Sequence, residues 1–142
     1  MLVREILHSA PITVPPTCHM DEAARIMARH GVGSLLVVSG GDLLGIVTDR
    51  DICVRGIGAE MDVADPVSAV MSEHPSTIEG SADIIDAFTR FREAGARRLP
   101  VLEDGEVAGI ISVDELLVAL VVEFNDAIAP IARELVAPEI PT

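Results

Sequence analysis

Apolar residues recur at Met20, Ala23, Ala24 and Met27, and again at Ile84, Ala87, Phe88 and Phe91. Spacings of three and four put each set on one face of a helix. A glycine follows each set, Gly31 or Gly95, where a helix commonly ends in a left-handed residue. A hydroxyl precedes each, Thr17 or Ser81, and is read as the N-cap. Strand-forming runs come next, at 34–38 and 99–102. Each leads through a turn, Gly40-Gly41-Asp42 or Asp104-Gly105-Glu106, into a second strand ending at Thr48 or Ser112. That pattern predicts two β-hairpins, each with a helix opening directly after it. Short helical turns at 3–7 and 67–71 and brief strands at Thr13-Val14 and Thr77-Ile78 stand ahead of the first helices. The predicted order is strand, helix, strand, strand, helix, twice over.

The duplication is visible residue by residue. An offset of 64 carries Gly45-Ile46-Val47-Thr48 onto Gly109-Ile110-Ile111-Ser112. It also pairs Val3 with Val67, Pro11 with Pro75, Thr13 with Thr77, Gly31 with Gly95, Val37 with Val101 and Gly41 with Gly105. No gap is needed over roughly fifty residues, the length of one supersecondary repeat. The matches fall on Gly, Pro and apolar positions, which a backbone constrains most tightly. We expect a first repeat over residues 1–58, a linker over 59–66, a second repeat over 67–122, and a helical extension and tail over 123–142. A half of this size buries little surface alone. The fold class is therefore α+β, with two β-α-β-β-α repeats packed sheet to sheet about a pseudo-twofold axis. Crevices between such halves are candidate ligand sites.

The stretch from Asp114 to Val136 reads as one helix, with a break or kink expected near Pro130. Residues 116–122, Leu-Leu-Val-Ala-Leu-Val-Val, are apolar on every face. A surface helix would show a polar side. This one is expected to be buried, in the core or against a second copy of the chain, and a homodimer follows.

Composition narrows the chemistry. The 142 residues are 49% hydrophobic but hold three Phe and no Trp or Tyr, so the core is aliphatic. The formal net charge is −13, and all ten basic residues are Arg. A phosphate backbone would be repelled, and the aromatic platforms of single-strand binders are missing, so no nucleic-acid partner is expected. The run at 116–122 is far short of a membrane span, and the first residues do not form a secretory signal, so a cytoplasmic protein is expected. Cys18 and Cys53 form no CxxC pair and are read as reduced packing residues. His8, His19, His30 and His74 have no ligand spacing; His19 beside Cys18 is too few donors for a closed site, and no metal is expected. No nucleophile, base and orienting group are visible together, so catalysis is not expected.

Gly45-Ile46-Val47-Thr48-Asp49-Arg50-Asp51-Ile52 resembles the signature that closes a cystathionine β-synthase (CBS) repeat. Arg97-Arg98-Leu99-Pro100-Val101-Leu102 with Gly109-Ile110-Ile111-Ser112 resembles the same motif in a second copy. The resemblance covers about residues 1–122, and it extends to short stand-alone bacterial CBS pairs, or Bateman modules. It implies regulatory binding of an adenosine-containing ligand, such as AMP, ADP, ATP, NAD or S-adenosylmethionine, with no obligatory cofactor. It implies that Thr48 and Asp51 hold ribose hydroxyls, with Ser112 and Glu115 at the matching positions. Main-chain groups near Thr13-Val14 or Thr77-Ile78 would receive the adenine edge, and Arg97 a phosphate. It also implies flat dimers formed through the second helices.

Chemistry agrees with these roles without deciding them. A carboxylate can accept two hydrogen bonds from a cis-diol, and a guanidinium fork suits phosphate. A hydroxyl followed three residues later by a carboxylate is equally a capping box, and Ser112 with Glu115 fits that pattern best. The copies depart from the family pattern in opposite ways: Gly33 stands where the second repeat has Arg97, and Glu115 where the first has Asp51. The alternative is an interaction module whose nucleotide pockets have decayed.

Overall fold

A computed structural model describes residues 1–8 and 10–136 of the chain. The first repeat contains strand β1 (Thr13–Val14), helix α1 (Met20–His30), and the hairpin β2 (Ser34–Ser39) and β3 (Asp42–Thr48). The second contains β5 (Ile78–Glu79), α2 (Ile84–Ala94), β6 (Arg98–Glu103), β7 (Glu106–Ser112) and the long helix α3 (Val113–Val136). One more short strand, β4 (Ser72–Glu73), lies between them in sequence. The sheets run β1-β2-β3-β4 and β5-β6-β7. In each, the short first strand is parallel to its neighbour and the hairpin is antiparallel. The fold is α+β, as the residue pattern predicted.

The repeats agree down to their irregularities. The ladder slips between Val37 and Val38 in one hairpin and between Val101 and Leu102 in the other, at the same offset of 64. Each hairpin turn is two residues rather than three, because Asp42 and Glu106 already belong to the return strands. Gly40 and Gly41 have φ of 58° and 85°, and Asp104 and Gly105 have 51° and 80°. Two successive positive φ values match the right-handed twist of the strands, and aspartate is among the few side chains that tolerate them.

The helices begin later than the hydroxyls suggested. The N-caps are His19 and Asp83, not Thr17 and Ser81. Both caps are extended and pair with chain from elsewhere, His19 with Pro66 and Leu2 with Asp83. The free amides of α1 are met by tertiary partners, with Met20 N–H donating to the Asp65 carbonyl (2.9 Å) and Asp21 N–H to that of Val63 (3.0 Å). At α2 the Asp83 carboxylate accepts from Ile85 N–H at 2.9 Å. Asp83→Ala should therefore cost about 1 kcal/mol, the usual worth of a cap, while Ser81→Ala should cost close to nothing. Urea unfolding of the two variants checks the assignment.

The helix after the first hairpin is not a regular α-helix. Its central turn, Asp51–Gly56, is wound wide in the π manner and runs into a 3-10 turn, Ile57–Ala59. A Cβ on Gly56 would stand 2.7 Å from the Met20 sulfur, so glycine permits this close approach to α1. Helix α3 continues through Pro130 without the expected break. The part of the expected tail at 137–142 lies outside the described residues.

The two cores do not follow the two halves of the sequence. Val3 and Ile6, from the first 3-10 turn (Val3–Ile6), pack with Ile84, Leu99, Val101, Ile111 and Leu116 of the second repeat. Val67, Val70 and Met71 pack with Met20, Leu35, Val37 and Val47 of the first. Backbone bonds secure the exchange: Val3 N–H donates to the Ala82 carbonyl (2.8 Å), and Val67 N–H to that of Cys18 (2.8 Å). β4 completes it by pairing with β3.

Candidate functional site

Strand alternation divides the side chains of each hairpin between two surfaces. Leu35 and Val37, like Leu99 and Val101, face the helices. Ser34, Leu36, Arg98 and Pro100 therefore point away from the helices. Between the repeats, part of that second surface encloses a cavity of about 350 Å³. The first repeat supplies Leu7, His8, Pro11, Ile12, Gly33, Ser34 and Leu36, and the second supplies Arg98, Ile110, Ser112, Asp114 and Glu115. Apolar side chains from both repeats form one part of the wall, and the junction of β7 with α3 brings the Ser112 hydroxyl and the Asp114 and Glu115 carboxylates to it.

Ser112 and Glu115 share this wall, and they also bond to each other. Ser112 N–H donates to Glu115 Oε2 at 2.7 Å, the Ser112 hydroxyl donates to the same oxygen at 3.0 Å, and Glu115 N–H donates to Ser112 Oγ at 3.2 Å. That is a closed capping box. Oε1 of Glu115 has no protein hydrogen bond among the described residues. The carboxylate of Asp114, in the first turn beside it, likewise has none.

Thr48 and Asp51 form the matching box. Thr48 N–H donates to Asp51 Oδ2 at 2.9 Å, and Asp51 N–H donates to Thr48 Oγ1 at 3.1 Å. Both are half-buried, and Asp51 Oδ1 stands 3.8 Å from Arg55 Nη1. Here the threonine hydroxyl keeps its proton free to donate. Neither residue lines the 350 Å³ cavity, nor do Arg97, Thr13, Val14, Thr77 or Ile78. Val14 and Ile78 are buried in the two cores, and Ile12, one step before β1, reaches the cavity instead. Arg97 is exposed, and its carbonyl accepts from Val113 N–H at 3.0 Å.

The cavity thus holds four polar residues outside the set the motif comparison gave: His8, Ser34, Arg98 and Asp114. Arg98, not Arg97, lies on the wall, opposite Ser112 in the strand register. The period-2 pattern carried that signal, since Leu99 and Val101 face the core and Arg98 must face away. Asp114 joins Ser112 and Glu115 because successive residues of a first helical turn fan around its end. No pattern in the sequence would have placed it there.

Cys18 is a poor prospect as a metal ligand. Burial pushes its thiol up from the ordinary value, and the carboxylates of Glu22 and Asp21 push it further. Among the described residues, no three His, Cys, Asp or Glu side chains converge on a common point. No described helix is long and apolar enough to cross a membrane.

Two matched repeats with a cavity between them define a tandem-repeat module. The chain belongs to the CBS domain family, whose model matches residues 3–56 and 67–122. It is 34% identical over 116 residues to the CBS domain-containing protein YhcV of Bacillus subtilis, covering 82% of this chain and 83% of YhcV. It is also 34% identical over 133 residues to CBSCBSPB1 of Arabidopsis thaliana, covering 92% of this chain but 23% of that much longer protein. Among solved structures, the CBS domain protein PAE2072 from Pyrobaculum aerophilum, complexed with AMP, superimposes with a TM-score of 0.75 at 22% identity, over 86% of this chain and 99% of that one. The CBS domain pair of MJ0100, in complex with 5′-methylthioadenosine and S-adenosyl-L-methionine, gives 0.77 at 23% identity, over 87% and 98%. At these identities the likeness to the two structures is one of fold.

Proposed function

We propose that this chain is a regulatory sensor of an adenosine-containing ligand, bound in the cleft between the repeats, and that it acts without catalysis of its own. The observation that carries the reading is the shared cavity, in which apolar side chains meet two hydroxyls, an imidazole, two carboxylates and one guanidinium. Leu36, Ile12 and Ile110 offer a surface for the flat face of a base. Asp114 and Glu115 offer acceptors for ribose hydroxyls, and Arg98 a fork for a phosphate. That a fold this similar carries AMP in one protein and sulfur-containing adenosines in another supports the ligand class. Because the cavity wall comes from both repeats, a ligand there would favour one arrangement of them, which a partner protein could read. The family counterpart of this cleft, around Thr48, Asp51, Arg97 and the Thr77-Ile78 backbone, is assigned the same role. We place the chain in a homodimer built on α3 and the segment after β3.

A thermal-shift panel of AMP, ADP, ATP, NAD and S-adenosylmethionine tests the reading. A ligand at a hundred times its dissociation constant stabilises the fold by about 2.7 kcal/mol, a rise of several degrees for a domain of this size. Glu115→Ala and Asp51→Ala should each weaken binding at their own cleft by about 1.5–3 kcal/mol, the value of a hydrogen bond to a charged group. Absence of any shift at millimolar ligand would transfer the function to the second reading, an interaction module. The observation that favours that reading is the apolar face of α3, where Leu117, Val118, Val121, Val122 and Phe124 are all exposed on the single chain.

A further inference from the structure

The charges around the cavity limit which adenosine ligand can enter. Arg98 is its one arginine, and among the described residues no carboxylate lies within 4.0 Å of it to form an ion pair. The wall also carries the carboxylates of Asp114 and Glu115. Gly33 leaves the wall open beside Arg98: a Cβ placed on it would lie 3.6 Å from Arg98 Nη2. Gly33 is also the position where the repeat offset aligns Arg97, so the first repeat brings no side-chain cation to this wall there. One guanidinium therefore faces two carboxylates on this wall. A chain of net charge −13 deepens the negative field.

From this balance we infer that the cavity selects an adenosine ligand with at most one phosphate, or with a cationic tail, and rejects adenosine di- and triphosphates. The inference rests on the adenosine reading above. One phosphate can take the Arg98 fork and neutralise it. Each further phosphate then finds carboxylates and no second guanidinium on that wall. The same carboxylates attract the sulfonium of a ligand such as S-adenosylmethionine.

Methyl NMR reads this cavity apart from the proposed counterpart around Thr48, because Ile110 lines the cavity and its repeat partner Ile46 does not. Titrations with adenosine, AMP, S-adenosylmethionine and magnesium-free ATP should move Ile110. AMP and S-adenosylmethionine should bind at least about tenfold tighter than ATP, the scale expected for like-charge contacts, and the gap should narrow in 0.5 M salt. Gly33→Arg should close much of the gap by supplying the second guanidinium. Its backbone is not left-handed, and the nearest atom to a new Cβ is the end of the Asp49 side chain, so the variant should fold. Asp114→Asn should close it too, by removing a carboxylate without adding bulk. If Ile110 reports ATP binding as tightly as AMP, the selectivity inference is overturned and the adenosine reading stands. If only Ile46 responds, the selectivity inference for this cavity is overturned and the adenosine reading stands; if no ligand in the series moves either Ile110 or Ile46, both fail together.

Discussion

Val3→Asp should unfold the second repeat, although residue 3 belongs in sequence to the first. Val3 is fully buried among Ile84, Leu99, Val101, Ile111 and Leu116. A carboxylate there has no partner, and an unpaired buried charge costs several kcal/mol, a large share of the 5–15 kcal/mol that stabilises a typical domain. Amide exchange should show protection lost first at Leu99, Val101 and Ile111 in the second sheet, with Leu35, Val37 and Val47 in the first retaining theirs longer. Val67→Asp is the mirror experiment, since Val67 is equally buried in the other core. Its losses should begin in the first sheet. If Val3→Asp leaves exchange in the second sheet unchanged, the exchanged packing of the two leading turns is wrong.

Val118→Asp should convert a dimer into folded monomers. On the single chain Val118 is 65% exposed and Val121 58%, and the repeat counterparts Val54 and Ile57 are 51% and 60% exposed. Contiguous apolar surface of this kind marks an association site, and two equivalent strips related by a pseudo-twofold can pair with the same strips on a second copy. Light scattering on the wild-type protein should give a mass near twice the 15.0 kDa of the chain. An aspartate on each side of such an interface should weaken association at least about a hundredfold, since desolvating it costs several kcal/mol. Because the side chain projects from the monomer, circular dichroism and the core should be unaffected. A wild-type monomer at micromolar concentration, or an undisturbed dimer of the variant, would refute the interface.

The same helix marks a limit of pattern reading. Residues 116–122 looked buried because no side was polar. Leu116 and Ala119 are indeed in the core, while Leu117, Val118, Val121 and Val122 are not covered by their own chain. Periodicity measures which residues avoid water; it does not say what covers them. The N-caps show a related limit. Thr17 and Ser81 have the right chemistry, but bridges from Pro66 and Leu2 hold the chain extended past them, and the helices start at Met20 and Ile84.

The sequence by itself determined the main helices and hairpins and their duplication. Glycines at Gly31 and Gly95, the paired hairpin turns and the 3.6- and 2-residue periods are local constraints, set by backbone sterics and by one face avoiding water. Those constraints act over a few residues, so they can be read in order along the chain. Only the tertiary structure decided which turn fills which core, and which polar groups share a cavity. Val3 and Leu99 lie 96 positions apart yet pack in one core, and Ser34 meets Arg98 and Asp114 only because the two sheets face each other. Contacts of that range depend on how whole surfaces fit, and no neighbouring residue in the chain records that fit.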